Sequence, residues 1–214
     1  INKGKAHIWE PGLDDLVKLT IKSKFFKATT RPIYSDIFII AVPTPLHKNN
    51  NKFIPNIDFV MSAVDSITNF IKNGNSIIIE STIPVGTTKK IKFFLKNKGI
   101  DVSKINIAHC PERVLPGNIL YELTHNDRVI GGINESSSLE IELFYKHFVK
   151  GNIYKTDAKT AEMCKLTENS FRDVNIAFAN ELSMICDKEK INTLELIKLT
   201  NKHPRVNILE PGPG

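Results

Sequence analysis

Short runs of apolar, β-branched residues alternate with amphipathic segments along most of this 214-residue chain. The runs at 36–42 and 76–80 are bounded by turn residues, as is typical of strands buried in a parallel sheet. The segments between such runs repeat their apolar residues with the period of a helix. This alternation predicts an α/β fold, with a partial Rossmann-type parallel sheet of the doubly wound kind over residues 1–156.

The same patterns place the individual elements. We predict helices over 11–22, 58–72, 87–98, 135–149 and 193–201, and strands over 25–29, 36–42, 76–80, 105–109, 128–130 and 152–154. Asn49, Asn50 and Asn51 are expected at the tip of a loop. Residues 157–214 hold no strand pattern, so we expect a second, all-helical segment there.

The longest helical pattern runs from Ala161 to Ser183 and contains no Gly or Pro. Lys165, Asn169 and Arg172 lie at spacings i, i+4 and i+7, which puts them on one face of that helix. Their neighbours are mostly apolar. Burying a lysine, an amide and a guanidinium is costly unless an anionic group meets them, so the stripe predicts a binding site for a charged, oxygen-rich substrate.

Ligands of doubly wound sheets bind at the carboxyl ends of the strands, which selects the loops 43–45, 81–87 and 110–117. Loop 81–87 brings hydroxyls and a glycine to the start of a helix, where backbone N–H groups can meet phosphate or ribose oxygens. Taken alone, that loop is better explained by helix capping through Ser81, Thr82 or Thr87. A Glu–Arg pair such as the one in loop 110–117 is also more often a surface pair. Three such loops at one edge, together with the polar helix face, favour a ligand-binding site over these local explanations.

Composition argues against several classes of function. The net charge is only +6, and the lysines are scattered without a basic run that contains aromatics, so nucleic-acid binding is not favoured. No apolar run reaches the length of a membrane span, and no signal-peptide pattern is present, so we expect a cytoplasmic protein. Cys110, Cys164 and Cys186 lack the spacing of metal ligands and are expected to be reduced thiols without a metal.

Several motifs resemble the nucleotide-sugar 6-dehydrogenases, the family of the UDP-glucose and GDP-mannose dehydrogenases. They are VPTP at 42–45, ESTIPVGTT at 80–88, CPERVLPG at 110–117, NDRVIGG at 126–132, KLTENSFRDVNIAFANELS at 165–183 and HPRVNILEPGPG at 203–214. The resemblance covers nearly the whole chain, and the last two motifs are long enough to be highly specific. Their wording is most similar to members that act on UDP-N-acetyl-D-mannosamine.

The resemblance implies an NAD-dependent, four-electron oxidation of the sugar C6 alcohol to a uronic acid, for the synthesis of surface polysaccharide precursors. It implies two hydride transfers and a thioester on a cysteine. Lys165 and Asn169 match the family's K-x-x-x-N pair, which holds the C6 oxyanion and moves a proton. Arg172 matches a substrate contact, and Glu112 matches the glutamate near the water and the thioester.

Further residues correspond to binding positions of the family. Arg113 and Val114 match the loop that holds the nucleotide sugar, and His203 and Arg205 match a turn that closes over it, with an arginine suited to a diphosphate. NAD contacts are implied for Thr44 and Thr82. The resemblance also implies a homodimer through the long helix at 157–187.

Three features that the resemblance calls for are not found among these residues. The resemblance calls for a G-x-G-x-x-G fingerprint and a ribose-binding acid before Ile1, and for a nucleophilic cysteine after Gly214. We therefore expect a fragment that lacks both ends and the first strands of the sheet, and that is inactive alone. Cys110 is expected to be a buried thiol rather than the nucleophile.

Three alternatives stay open. The sugar could be UDP-N-acetylglucosamine. The chain could instead come from a β-hydroxyacid-type dehydrogenase, which transfers one hydride and uses no cysteine nucleophile. Finally, it could be a non-catalytic binding or dimerisation segment.

Overall fold

A computed structural model describes residues 1–49 and 52–213 of the chain. The chain divides into two compact units, Ile1–Met163 and Cys164–Gly214. The helices are α1 (Leu13–Lys22), α2 (Asp58–Ile67), α3 (Thr87–Asn97), α4 (Ile119–His125), α5 (Glu135–Tyr145), α6 (Ala158–Glu189) and α7 (Thr193–Thr200). The strands are β1 (Ile37–Ile40), β2 (Leu46–Asn49), β3 (Lys52–Pro55), β4 (Ser76–Ile79), β5 (Asn106–His109), β6 (Arg128–Gly132) and β7 (Ile153–Asp157).

The first unit is built on a five-stranded sheet with the order β1-β4-β5-β6-β7. β1, β4 and β5 are parallel to one another, whereas β6 pairs antiparallel with β5, and β7 pairs parallel with β6. The predicted α/β class is confirmed, and the sheet is mixed rather than wholly parallel. The link between β5 and β6 carries only the seven-residue α4. Since a parallel connection normally needs a longer crossover helix, the chain turns back beside β5 instead.

Strand β4 forms the centre of the core, and Ile77, Ile78 and Ile79 have no exposed surface. Successive side chains of a strand point to opposite faces. Ile77 and Ile79 accordingly pack in a cluster with residues of α2 and α3, while Ile78 packs in a second cluster with residues of α5. Helices therefore cover both faces of the sheet, as the doubly wound pattern predicts.

The predicted strand at 25–29 is wrong, because this segment is irregular. The Asn2 side chain accepts a hydrogen bond from the Ala28 N–H (2.7 Å) and donates one to its carbonyl (2.8 Å). A strand needs a neighbour to satisfy its backbone groups, and no strand in the described part of the chain lies alongside residues 25–29. An amide side chain supplies both partners instead.

The sequence patterns missed the antiparallel hairpin β2–β3, in which Leu46 pairs with Pro55. Its strands are only four residues long, and their apolar residues are exposed and do not alternate with polar ones, so they lack the pattern that identifies a half-buried strand. Of the predicted loop tip, Asn49 ends β2, while Asn50 and Asn51 lie outside the described residues. Helix α4 was also missed, since it is short and none of its residues is buried.

Helix α6 spans 32 residues and begins directly after β7. The Asp157 carboxylate accepts hydrogen bonds from the N–H of Lys159 (2.9 Å) and from the N–H and hydroxyl of Thr160 (3.1 and 2.5 Å). These bonds, that of the Thr160 hydroxyl first, lower the pKa of Asp157. A Cβ atom at Gly131 would lie 2.5 Å from the Cβ of Ala161, so only glycine permits this close packing of α6 on β6.

Candidate functional site

The three predicted loops meet at one edge of the sheet, because β1, β4 and β5 are parallel and in register from Ile40 to Ile79 to His109. The Ser81 hydroxyl donates a hydrogen bond to the Val42 carbonyl (2.7 Å), which joins the first loop to the second. The Glu112 N–H donates to the Glu80 carbonyl (3.4 Å), which joins the second to the third. The structure thus brings the loops together through their own backbone.

A buried polar cluster of Glu80, Arg128, Tyr145 and Cys110 lies beneath these loops. The Tyr145 hydroxyl donates to Glu80 Oε1 (2.6 Å), and the Arg128 guanidinium lies 3.6 Å from the same oxygen. Arg128 also stacks over the Tyr145 ring (4.5 Å to the centroid) and donates to the Leu123 carbonyl (3.2 Å). Sequence reasoning missed this cluster, although charged residues next to buried strands are a signal for one.

Cys110 is a free, fully buried thiol. Burial raises its pKa from 9.0 to about 11, against the opposing effect of the Arg128 charge. Because the thiolate is the nucleophilic form of cysteine, Cys110 is unsuited to attack a substrate near neutral pH. This agrees with the expectation of a buried thiol.

Loop 110–117 carries three of the predicted site residues, Glu112, Arg113 and Val114, and each is half-buried. The Glu112 carboxylate accepts a hydrogen bond from the Val114 N–H. Arg113 donates to the Asp127 carbonyl (3.0 Å), and its own carbonyl accepts from the Asn126 side chain (3.1 Å). These bonds hold the loop in a defined conformation at the sheet edge.

Two glutamates that sequence reasoning missed anchor the far end of this loop. The buried Glu10 accepts hydrogen bonds from the N–H groups of Gly117 (2.9 Å) and Ile119 (2.7 Å), and so caps α4. Glu122 accepts from the Leu115 N–H (2.8 Å), and hydrogen bonding, that from Asn118 first, lowers its pKa. Glu10 lies more than 100 residues from its partners, so no local pattern identifies it.

Helix α3 is capped from another helix. Its N-cap residue is Gly86, with φ of 92° and no side-chain cap of its own. The Glu162 carboxylate of α6 instead accepts from the N–H of Gly86 (2.5 Å), the N–H of Thr88 (2.7 Å) and the Thr88 hydroxyl (2.6 Å).

Both interpretations of loop 81–87 therefore need correction. Ser81 and Thr87 bond to the carbonyls of Val42 and Pro84 and do not cap α3, and Thr82 does not either. The N–H groups expected to meet phosphate are already bonded to Glu162, a carboxylate that takes the place of an anionic ligand.

Thr44 and Thr82 lie at the carboxyl ends of β1 and β4 and are half-buried. Neither hydroxyl is hydrogen-bonded to another residue in the described part of the chain. Unbonded hydroxyls at this edge fit a ligand rich in ribose and phosphate oxygens, such as a dinucleotide.

The polar stripe of α6 is not fully buried, so the cost of burial from which the sequence predicted a site does not apply here. Lys165 is half-buried, while Asn169 and Arg172 are exposed and border an open depression of about 440 Å³. Within the described residues 164–213, these three side chains form no hydrogen bond or ion pair. The stripe thus presents an ammonium, an amide and a guanidinium that are free to bind an anion.

Three asparagines hold the segment after α7, and sequence reasoning missed them. Each one donates to a carbonyl and accepts from an N–H, as a neighbouring strand would. Asn175 bonds to Asn207 (3.0 Å) and Leu209 (2.8 Å), Asn180 bonds twice to Gly212 (2.9 Å each), and Asn201 bonds twice to Ile208 (2.8 Å each). These bonds fix the segment that follows the predicted site residues His203 and Arg205.

His203 and Arg205 occupy an exposed turn. The turn is closed by a hydrogen bond from the Val206 N–H to the His203 carbonyl (3.0 Å). The backbone N–H of Arg205 donates to His203 Nδ1 (3.3 Å). The side chain of Arg205, with its guanidinium group, is exposed to solvent. The turn therefore has a cation available for a ligand.

A cavity of about 620 Å³, lined among others by Lys92, Val102 and Ile133, lies at the edge of the sheet opposite the three loops. Among the described residues, no three His, Cys, Asp or Glu side chains are grouped to hold a metal ion. No helix in this part of the chain is both long and apolar enough to cross a membrane.

Comparison with known proteins matches both parts of the chain to one family. Residues 1–149 match the NAD binding domain of the UDP-glucose/GDP-mannose dehydrogenase family, and residues 159–214 match its central domain. A UDP-N-acetyl-D-mannosamine dehydrogenase of Campylobacter jejuni is 54% identical over all of this chain and 54% of its own length. An NDP-N-acetyl-D-galactosaminuronic acid dehydrogenase of Ralstonia nicotianae is 49% identical over all of this chain and 52% of its own.

Solved structures of the same family are similar to this chain over its whole length. The UDP-N-acetyl-mannosamine dehydrogenase of Staphylococcus aureus is 49% identical, with a TM-score of 0.88 over all of this chain and 52% of its own. The corresponding enzyme of Pyrococcus horikoshii is 44% identical, with a TM-score of 0.92 over all of this chain and 51% of its own. The chain spans about half the length of the curated relatives it matches.

Proposed function

Because the chain belongs to the UDP-glucose/GDP-mannose dehydrogenase family, we propose that these residues are part of a whole enzyme of the relatives' length. That enzyme oxidises the C6 alcohol of UDP-N-acetyl-D-mannosamine to the uronic acid with NAD, for surface polysaccharide precursor synthesis. The observation that carries the proposal is the stripe of Lys165, Asn169 and Arg172, three hydrogen-bond donors on one face of α6 without a partner in residues 164–213.

Residues 1–156 would form the partial NAD-binding domain, and 157–214 part of the central domain. Thr44 and Thr82 would donate hydrogen bonds from their free hydroxyls to the cofactor. NAD, when bound, supplies the acceptor for the hydride that leaves C6. We also propose a cytoplasmic location, since the three cysteines are free thiols, as is usual in reducing compartments.

Lys165 and Asn169 would act at the C6 oxygen. When the alcohol is oxidised, this oxygen loses its proton and carries negative charge. The Lys165 amine would take up and return that proton, and the Asn169 amide would donate a hydrogen bond to the same oxygen. Because the two residues are one helical turn apart, both can reach a single atom.

The second half of the reaction would pass through a thioester. We propose that the thiolate of a cysteine outside these 214 residues adds to the C6 aldehyde to give a thiohemiacetal. This adduct would release its hydroxyl proton and pass a second hydride to a second NAD, which leaves the thioester. Water then attacks the thioester carbon, which releases the carboxylate and the thiol. Glu112 would hold this water. Since neither the glycine fingerprint nor the cysteine is among these residues, the 214-residue chain alone would not complete the reaction.

The remaining site residues would bind the nucleotide sugar. Arg172 and Arg205 are exposed guanidinium groups, which suit the diphosphate because they donate two parallel hydrogen bonds. Arg113 and Val114 would contact the sugar nucleotide from loop 110–117, and His203 from the turn after α7. All of these residues would act by binding, without a part in proton transfer.

We also propose a homodimer through α6. Phe171 (68% exposed), Val174 (68%), Phe178 (56%) and Ile185 (56%) form an apolar stripe at helical spacing along this helix. Exposed apolar stripes of this length usually mark an interface. Sedimentation of the whole enzyme would give a dimer, and replacing Phe171 and Phe178 by Glu would shift it to monomer. A wild-type monomer at all concentrations would refute the interface.

The proposed activity is tested by counting NADH formed for each sugar consumed. The whole enzyme is assayed with UDP-linked N-acetylmannosamine, N-acetylglucosamine, N-acetylgalactosamine and glucose. We expect the highest kcat/KM with N-acetylmannosamine and a ratio of two. A ratio of one would favour a β-hydroxyacid-type dehydrogenase. Preference for another sugar would overturn the substrate, and the galactosamine compound is included because a relative with that specificity in its name is 49% identical.

A further inference from the structure

Glu162 is a fully buried carboxylate to which the reaction outlined above gives no role. It accepts three hydrogen bonds at the start of α3, from the Gly86 N–H and from the N–H and hydroxyl of Thr88, at 2.5, 2.7 and 2.6 Å. No basic side chain of the described residues forms an ion pair with it. Its charge is therefore balanced by helix N–H groups and one hydroxyl alone.

This arrangement is costly to build and must be specific. A buried carboxylate is tolerated only when several donors satisfy its oxygens, and the start of a helix supplies aligned N–H groups and a favourable dipole. Helix α3 in turn has no cap of its own, because Gly86 has no side chain to provide one. Each partner thus satisfies the other, across 74 residues of sequence.

Each of the two segments joined by this contact carries a residue proposed to act in the reaction. The loop that ends at Gly86 carries Thr82, proposed to contact NAD, four residues earlier. On the other side, Lys165 follows Glu162 by one turn of the continuous helix α6. A turn of helix is short and stiff, so a shift of Glu162 is passed on to Lys165.

We infer that Glu162 is a positioning residue, which ties the start of the helix that bears Lys165 to the loop that bears Thr82. This inference rests on the proposed function. The contact holds the first turns of α6 in place, and the continuous helix carries this placement on to Lys165. Loss of that placement slows hydride transfer even when the sugar still binds.

A purely structural cap makes a different prediction. If Glu162 only stabilised α3, its loss would lower the thermal midpoint and leave kcat per folded enzyme unchanged. A positioning role lowers kcat at temperatures where the enzyme is fully folded. The separation of kcat from stability and from KM therefore distinguishes the two.

The test uses four variants of the whole enzyme, which are Glu162→Gln, Thr88→Val, the double variant and Thr88→Ser. Glutamine replaces one acceptor oxygen by a donor that faces N–H groups, so kcat should fall about tenfold to a hundredfold, with the sugar KM within about twofold. Thr88→Val removes one bond and should lower kcat by a smaller factor. The double variant should be no worse than Glu162→Gln, and Thr88→Ser, which keeps the hydroxyl, should retain kcat. Glu140→Gln, at an exposed position of α5 away from the proposed dimer stripe, is the matched control and should be silent.

The outcomes are separable. An unchanged kcat for folded Glu162→Gln, or for Thr88→Val if the first variant does not fold, overturns the inference while the wild type stays active. Equal losses for Thr88→Val and Thr88→Ser also overturn it, because the hydroxyl would then be irrelevant. A wild-type enzyme that reduces no NAD with any UDP-sugar refutes the proposed function instead.

Discussion

The polar groups at the loop edge of the sheet differ from those on the stripe of α6. At the edge, Glu80, Arg128 and Tyr145 are bonded to one another in the interior. On the stripe, Lys165, Asn169 and Arg172 have no partner within residues 164–213. Polar groups that satisfy one another shape the loops, whereas groups without partners are available for a ligand. The contrast predicts that changes in this cluster of Glu80, Arg128 and Tyr145 mainly affect stability and that changes on the stripe mainly affect catalysis.

The largest effect on this contrast should come from Lys165→Met in the whole enzyme. Methionine keeps the length of the side chain and removes the amine that would move the C6 proton. General acid–base groups typically contribute about 10²–10⁴-fold, so we expect kcat to fall by about a thousandfold. Steady-state NADH formation at saturating sugar and NAD measures it.

The control for this variant is Lys188→Met, at an exposed position of the same helix, which should leave kcat unchanged. The thermal midpoint of Lys165→Met should stay close to that of the wild type, because the amine makes no bond within residues 164–213. A large loss of stability with kcat intact would reverse the assignment of the two regions.

Arg128→Met should have a smaller effect, and this effect should be on stability instead of on kcat. This change leaves the Glu80 carboxylate buried without its cation, and breaking a buried ion pair in this way costs about 3–5 kcal/mol. Urea unfolding followed by circular dichroism should show that loss. Tyr145→Phe, which removes only the hydrogen bond to Glu80, should cost about 1–3 kcal/mol.

For both edge variants, kcat of the folded enzyme should change far less than in Lys165→Met. If Arg128→Met were as stable as the wild type but inactive, the cluster would belong to the reaction and not to the scaffold. The distinction between a stabilising cluster and a catalytic stripe would then be wrong for the cluster.

Local patterns predicted much of this molecule. The apolar run of β4 and the long helix α6 were confirmed because burial and helical period are written in adjacent residues. The same holds for the loops at the carboxyl edge, whose position follows from parallel strands. The direction of β6 and the irregular segment 25–29 depend on which strand lies alongside them in the fold, so local patterns could not predict them.

The missed residues of the site share a physical cause. Glu10, Glu162 and the asparagines at 175, 180 and 201 act through side-chain bonds to backbone groups, and most of these partners are 32 to 109 residues away. A carboxylate or an amide in a helix or loop has no periodicity that reveals such a partner. Only the fold shows that these side chains hydrogen-bond to backbone groups, as a helix cap or a neighbouring strand would.

The smallest effect on activity should come from Cys110→Ala, which affects the pH dependence of stability. Folding raises the pKa of this thiol from 9.0 to about 11, mainly through burial. The stabilisation is thus complete below pH 9 and is lost as pH rises towards 11, because the unfolded thiol releases its proton first. In that window, wild-type stability should fall by up to about 1.4 kcal/mol per pH unit more than that of Cys110→Ala. Unfolding measured at several alkaline pH values tests this difference. At neutral pH both proteins should oxidise the sugar at the same rate, since a buried protonated thiol takes no part in the reaction, and an inactive Cys110→Ala would place this thiol among the reacting groups.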